Sequence, residues 1–137
     1  MIFSEYSELE QWREETGLDK AKPTKRQIVK HFAEELFEMC GFDKEEVKVF
    51  TDNFMNTYVV DQKLKDDVML DAMCDMKVFA INDTEQMGYD SKECMSETVK
   101  EVTSRSGEYK EDIGKFIKVI NRKEYTANYS RCKKLSN

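Results

Sequence analysis

Two carboxylates, Asp71 and Asp75, interrupt the most apolar run of the sequence, Val68 to Ile81, which reads VMLDAMCDMKVFAI. Apart from them, only Lys77 carries charge in that run. On a helix turning about 100° per residue, the two acids fall about 40° apart on one stripe. Asn82 lies between them roughly two to three turns further on, and Lys77 points to the opposite side. Acids on a buried stripe repel each other and lose hydration, so one of them would take up a proton. A bound cation removes that penalty. The helix therefore calls for a metal ion or for a partner that brings positive charge.

A second acidic helix precedes it. Thr24 to Gln27, just after Pro23, has the form of a capping box, and Gly41 ends the run. Between them, Ile28, Val29, Phe32, Leu36, Met39 and Cys40 are expected on one apolar arc. Glu35, Glu38 and His31 lie along one edge of that arc, with Glu34 further toward solvent. Glu35-x-x-Glu38 places two carboxylates on neighbouring turns, close enough for both to reach one ion. Alone, such a pair reads as a solvated acidic edge. Beside Asp71 and Asp75 it reads as half of a metal site.

The elements that must hold these residues are helical. The sequence has 137 residues, only five glycines and one proline, and 36% charged residues. That composition favours helices over a turn-rich β fold and suits one domain. Ser4 to Thr16 reads as a first helix, with Tyr6, Leu9 and Trp12 at helical spacing and Gly17 ending it. Asp43 to Glu46 opens a third helix, whose Val47, Phe50, Phe54 and Tyr58 can face a core. The apolar helix runs from about Leu64 to Met87 and stops at Gly88. Asp90 to Glu93 caps a fifth, with Met95, Val99 and Val102 on one side, ending before Gly107. Ile113, Phe116, Ile117 and Ile120 predict one more short helix, followed by an irregular tail with Tyr125 and Tyr129.

The expected architecture is thus all-α, an antiparallel bundle of about five helices. Within the single domain 1–137, residues 1–22 form the first helix and link, 23–107 the core with the acidic site, and 108–137 a basic C-terminal segment. The Val68–Ile81 helix is apolar nearly all round and needs neighbours on every side. A core four-helix bundle completed by a second copy would supply them, which predicts a homodimer or a dimer of dimers.

Charge is unevenly spread. Residues 1–99 hold 12 basic and 23 acidic residues, a net of −11, whereas residues 100–137 hold 10 and 5, a net of +5. An acidic site beside a basic tail suits a metal-bound polyanion as substrate. A nucleic-acid partner is not expected, because most of the chain would repel a phosphate backbone. Cys40, Cys74, Cys94 and Cys132 show neither C-x-x-C nor zinc spacing and are expected to be reduced. The first residues, MIFSEYSELEQW, are acidic and lack an apolar signal region, and no run approaches a transmembrane span. A soluble cytoplasmic protein is expected. Neither a di-iron bundle nor a calcium loop fits, since there is one His, in H-x-x-E order, and no twelve-residue D-x-D-x-D-G pattern.

With these residues in view, the chain resembles the all-α NTP pyrophosphohydrolases, the MazG-like superfamily, which includes phosphoribosyl-ATP pyrophosphohydrolase and the dimeric dUTPases. The family signature is E-x-x-E on one helix and E-x-x-D on a later one. Glu35-x-x-Glu38 resembles the first half, and Glu34 the additional Glu often found beside it. Asp75 matches the final Asp. Three positions before it stands Ala72, and Asp71 stands four before, in the D-A-x-x-D form of phage and bacterial relatives. MLDAMCDMKVFAIN with MGYD, SRSGEYKEDIGKF, WREETG and YTANYSRCK are similar to segments of those relatives as well.

The resemblance implies hydrolysis of a nucleoside triphosphate, a deoxynucleotide above all, to the monophosphate and pyrophosphate. It implies Glu35, Glu38, Asp71 and Asp75 as ligands of Mg²⁺, with Mn²⁺ as an alternative ion. Glu34 is the candidate to accept the proton of the attacking water, completing a catalytic set of Glu34, Glu35 and Glu38. Asn82 is the candidate for a sugar or base contact, and Arg105 and Lys115 for phosphate contacts. Trp12, Tyr125 and Tyr129 read as packing residues before base-stacking ones. The rival reading is a non-catalytic nucleotide-binding or regulatory module on the same fold, which Ala72 favours.

Overall fold

The computed structural model describes residues 2–105, 107–110, 112, 115–118 and 124–135. Among them are five α-helices: α1 (Ile2–Thr16), α2 (Lys25–Met39), α3 (Lys44–Tyr58), α4 (Asp66–Gln86) and α5 (Ser91–Ser104). One two-stranded antiparallel sheet follows, β1 (Gly107–Lys110) and β2 (Lys115–Lys118). The chain is predominantly α-helical. It divides into two compact units, Lys22–Met73 and Met1–Ala21 with Cys74–Asn137. The first eight residues of α4 belong to one unit and the remainder to the other.

In the unit Lys22–Met73, both helix starts follow from local sequence. Thr24 Oγ1 accepts from Gln27 N at 3.1 Å, and Gln27 Oε1 accepts from Thr24 N at 2.7 Å. Asp43 and Glu46 repeat the exchange at 2.9 and 3.1 Å. Each box satisfies two amide donors that a helix start otherwise leaves unpaired. Between the two helices Gly41 adopts a positive φ of 87°, which a glycine takes without steric cost. Arg26 closes the far end of α3, donating to the carbonyls of Met55 at 2.6 Å and Val59 at 3.0 Å and to Asp61 at 3.0 Å.

The contact between α2 and α3 is small at its centre and aromatic at its edge. Ala33 of α2 and Val47, Thr51 and Met55 of α3 are buried. Phe37 lies 5.9 Å from Phe50 and 6.4 Å from both Phe42 and Phe54, ring centre to ring centre. The tilted and edge-on ring pairs, including Phe42 and Phe50 at 4.8 Å, suit the aromatic quadrupole.

The expected apolar arc of α2 is only partly inward. Ile28 and Val29 are half-buried, but Phe32, Leu36, Met39 and Cys40 are exposed, Met39 at 81%. Packing selects Ala33 and Phe37 because the small Ala33 lets α3 approach closely, which rotates the larger apolar residues outward. Tyr58, expected in the core, is also exposed, although its ring sits 5.8 Å from that of Phe54.

In the other unit, α1 and α5 pack together. Trp12 donates its indole N–H to the Arg105 carbonyl at 3.1 Å, and its ring lies 5.5 Å from Phe116. The helix expected around Ile113–Ile120 is corrected: Phe116 and Ile117 lie in β2, where Phe116 pairs with Tyr109 and Ile117 with Glu108. Ile113 and Ile120 lie outside the described residues. Gly107 explains the outcome, because a Cβ there would stand 2.1 Å from the Ile117 carbonyl oxygen. Its hydrogen side allows a backbone approach that ladder pairing needs and helical spacing does not register.

The C-terminal segment is fastened to α5 by side chains rather than by regular structure. Glu97 accepts from the Tyr125 hydroxyl, from Asn128 N at 2.9 Å and from Arg131 at 3.2 Å. Glu101 accepts from Ala127 N at 3.0 Å, and Ser104 Oγ from Tyr125 N at 2.9 Å. Thr98 and Tyr129 hydroxyls meet at 2.8 Å. Irregular backbone that packs against a helix still needs its amides satisfied, and here α5 side chains do it.

Candidate functional site

The acid motifs lie on helices, as their spacing requires. Glu34, Glu35 and Glu38 belong to α2, where the Thr24 box sets the phase of the helix. Glu35 and Glu38 are exposed and Glu34 is half-buried. His31, one turn before Glu35, is also exposed.

Asp71 and Asp75 both lie on α4, four residues apart and therefore on one side of it. Their expected burial is corrected: both are exposed, and no described residue of α4 is buried. The apolar residues around them are equally open, with Val78 62%, Phe79 61% and Ile81 57% accessible. The physical reason is the one that predicted a partner. A helix apolar on all sides cannot bury every side against the elements of a single chain of this length.

No metal cluster is gathered among the described residues: no group of three or more His, Cys, Asp or Glu side chains converges there. The donor chemistry nevertheless suits Mg²⁺, since all four expected ligands are carboxylates and the ion prefers oxygen. No family model, curated protein or solved structure matches this chain. The expected ligand set therefore rests on residue types and helical spacing alone.

The candidate substrate contacts each have their own local surroundings. Asn82 is exposed on α4 and donates its amide to Asp83 at 3.3 Å. Arg105 sits just past α5, where its guanidinium meets Glu101 at 3.5 Å and its carbonyl receives the Trp12 indole. Lys115 opens β2 opposite Lys110, and its side chain lies outside the described residues. Trp12, Tyr125 and Tyr129 are engaged in packing and hydrogen bonds within their unit. A shallow cleft in that unit is lined by Glu8, Gln11, Trp12, Glu15 and Thr103 and includes none of the expected ligands.

Sequence reasoning missed Glu97, the most enclosed carboxylate described. It is 1% accessible, yet it stays ionised because its hydrogen bonds favour the charged form. The Tyr125 hydroxyl and the Asn128 amide hold its pKa down to about 2, against the opposing effect of burial. Arg131 and Lys100 add positive charge at 3.2 and 3.4 Å. Every acceptor position of Glu97 is used by the fold. Its part is to anchor the C-terminal segment.

Glu85 does the same at the end of α4. It accepts from Ser91 N at 2.6 Å and from Lys134, and the Lys134 contact chiefly holds its carboxyl below the usual range. No described helix is long and apolar enough to cross a membrane.

Proposed function

We propose that this chain is a Mg²⁺-dependent nucleoside triphosphate pyrophosphohydrolase, cleaving a dNTP to the monophosphate and pyrophosphate. The observation that supports it most is the coincidence of two acid motifs with exposed apolar helix surface. Glu35-x-x-Glu38 runs beside Phe32, Leu36 and Met39 of α2, and Asp71 and Asp75 run beside Val68, Leu70 and Val78 of α4. Apolar surface of that extent marks an interaction face. The reading takes a second copy as its partner, in a homodimer or dimer of dimers that completes an antiparallel helical bundle. Covering the acids on assembly would in turn require the bound cation to offset their charge.

Glu35, Glu38, Asp71 and Asp75 would hold the ion, Mg²⁺ or in its place Mn²⁺. The ion would neutralise polyphosphate charge. Glu34, less exposed than Glu35 and Glu38, would accept a proton from water at a less solvated carboxylate. Asn82 would supply amide donors and an acceptor to sugar or base, as only a neutral group can do beside two acids. Arg105 would exchange its partly exposed Glu101 contact for a phosphate, and Lys115 would add a point charge.

The test is pyrophosphate release from a panel of dNTPs and NTPs with Mg²⁺ or Mn²⁺, alongside Glu38→Gln and Asp75→Asn. Pyrophosphate and monophosphate from one or a few substrates, lost in both variants, is the expected result. A second reading, a nucleotide-binding or regulatory module, is favoured by one observation, the Ala72 methyl where the resembled signature has an acid. Binding without turnover across the panel would select it.

A further inference from the structure

Two of the four cysteines are brought together by the C-terminal segment. Cys94 lies in the first turns of α5, and Cys132 ends the 3₁₀ turn Tyr129–Cys132. The peptide of Asp90 joins them: its N–H donates to the Cys132 carbonyl at 2.9 Å, and its carbonyl accepts from Cys94 N at 3.0 Å. The flanking chain is held independently of sulfur, by a bridge between Tyr89 and Lys133 and by Lys134 N donating to the Gly88 carbonyl at 2.8 Å. Inside that frame the Cys132 thiol stands close enough to Cys94 to help hold the Cys94 proton in place. Cys132 is buried, with its sulfur 3.9 Å from the Asn128 carbonyl, whereas Cys94 is half-buried.

We propose that Cys94 and Cys132 form a redox dithiol that closes to an intramolecular disulfide, locking the C-terminal segment to α5. The oxidant is a small-molecule disulfide of the glutathione class. Cys94, the accessible member, loses its proton and attacks one sulfur of the oxidant, forming a mixed disulfide and releasing one thiolate. Cys132 then loses its proton and attacks the Cys94 sulfur, releasing the second. The protein gives up two electrons and two protons, and the oxidant becomes two thiols.

The surroundings of Cys94 set the speed. Burial, the Cys132 thiol and the carboxylates of Asp90 and Glu85 push its thiol up to about 11. Little thiolate exists at neutral pH, so closure is slow there and quickens about tenfold per pH unit on the alkaline side. The switch responds to sustained oxidation and ignores brief exposure.

The experiment uses the full reduced chain carrying Cys40→Ser and Cys74→Ser, both at exposed positions, incubated with glutathione disulfide at pH 7, 8 and 9. The expected product has lost two hydrogens, carries no glutathione, yields one peptide linking Cys94 to Cys132, and melts at a higher temperature until dithiothreitol is added. Cys132→Ser in the same background should stop at a glutathione adduct on Cys94. A native chain that keeps both thiols after a day at pH 9, yet forms the bond in urea, would overturn the proposal. So would a stable glutathione adduct on Cys94 with Cys132 still present, because the second attack would then be out of reach.

Discussion

The Tyr125 hydroxyl donates to a carboxylate 28 positions earlier in the chain, that of Glu97, on a helix whose buried face it helps to cover. That bond, with the Asn128 amide and Arg131, makes Glu97 the most heavily used of the α5 side chains that hold the C-terminal segment. Since Glu97 titrates at about 2 in the folded chain against an ordinary 4.5, folding favours its ionised form. Its contribution is complete above the ordinary carboxylate range and is lost as pH falls from about 4.5 toward 2.

Glu97→Gln should therefore lower the thermal midpoint at pH 7 by on the order of 5 °C. The glutamine keeps the shape but offers one acceptor oxygen to a set of donors that uses two. Repeating the melt at pH 3 should narrow the gap between the two proteins. An equal gap at both pH values would mean that the charge of Glu97 has no part in holding the segment.

Thr51 offers the opposite case. Its side chain is 1% accessible between α2 and α3, and its hydroxyl has no hydrogen-bond partner. An unpaired buried hydroxyl costs about 1–3 kcal/mol relative to an apolar group of the same shape. Thr51→Val should accordingly stabilise the chain by about 1 kcal/mol, read as a higher urea midpoint with an unchanged slope. A destabilised Thr51→Val protein would show that the hydroxyl is satisfied in solution.

How far these features could be read from sequence depends on the reach of the interaction. The capping pairs Thr24 with Gln27 and Asp43 with Glu46 are three residues apart, so types and spacing announce them. The hairpin was hidden because Ile113, Phe116, Ile117 and Ile120 have helical spacing, while what decides the matter is the approach of Gly107 to Ile117, ten residues away. Glu97 was hidden for a like reason. It lies about 200° round the helix from Val99, where periodicity expects solvent, and all its partners but Lys100 are 28 to 34 positions distant. The acid motifs were legible as residues on helices. Their burial was not, because it depends on what covers α4, and periodicity does not identify the neighbour.

Covering α4 is itself a measurable event. Removing one large apolar side chain from water contributes about 1.5–3 kcal/mol, and α4 leaves Val68, Leu70, Val78, Phe79 and Ile81 exposed. The proposed assembly predicts a dimer or tetramer by sedimentation at micromolar concentration. Phe79→Asp should weaken it more than tenfold, the equivalent of about 1.4 kcal/mol. A wild-type chain that sediments as a monomer would remove the basis for a site completed by a second copy.

Position 72 decides which acid acts with Asp75. Asp71 lies about 40° from Asp75 around the helix and Ala72 about 60° on the other side, so either position can direct a carboxylate toward the same ion. If Asp71 is the ligand, Asp71→Asn should cut pyrophosphate release by on the order of 100-fold and raise the Mg²⁺ concentration needed for half-maximal rate. Adding Ala72→Glu to that variant restores an acid at the spacing of the resembled signature and should recover part of the loss. Ala72 is exposed in the single chain, so the substitution should leave the melting temperature nearly unchanged. Full turnover in Asp71→Asn would exclude Asp71 as a ligand. Higher turnover in Ala72→Glu alone than in the wild type would instead identify Ala72 as the place where catalytic power was lost.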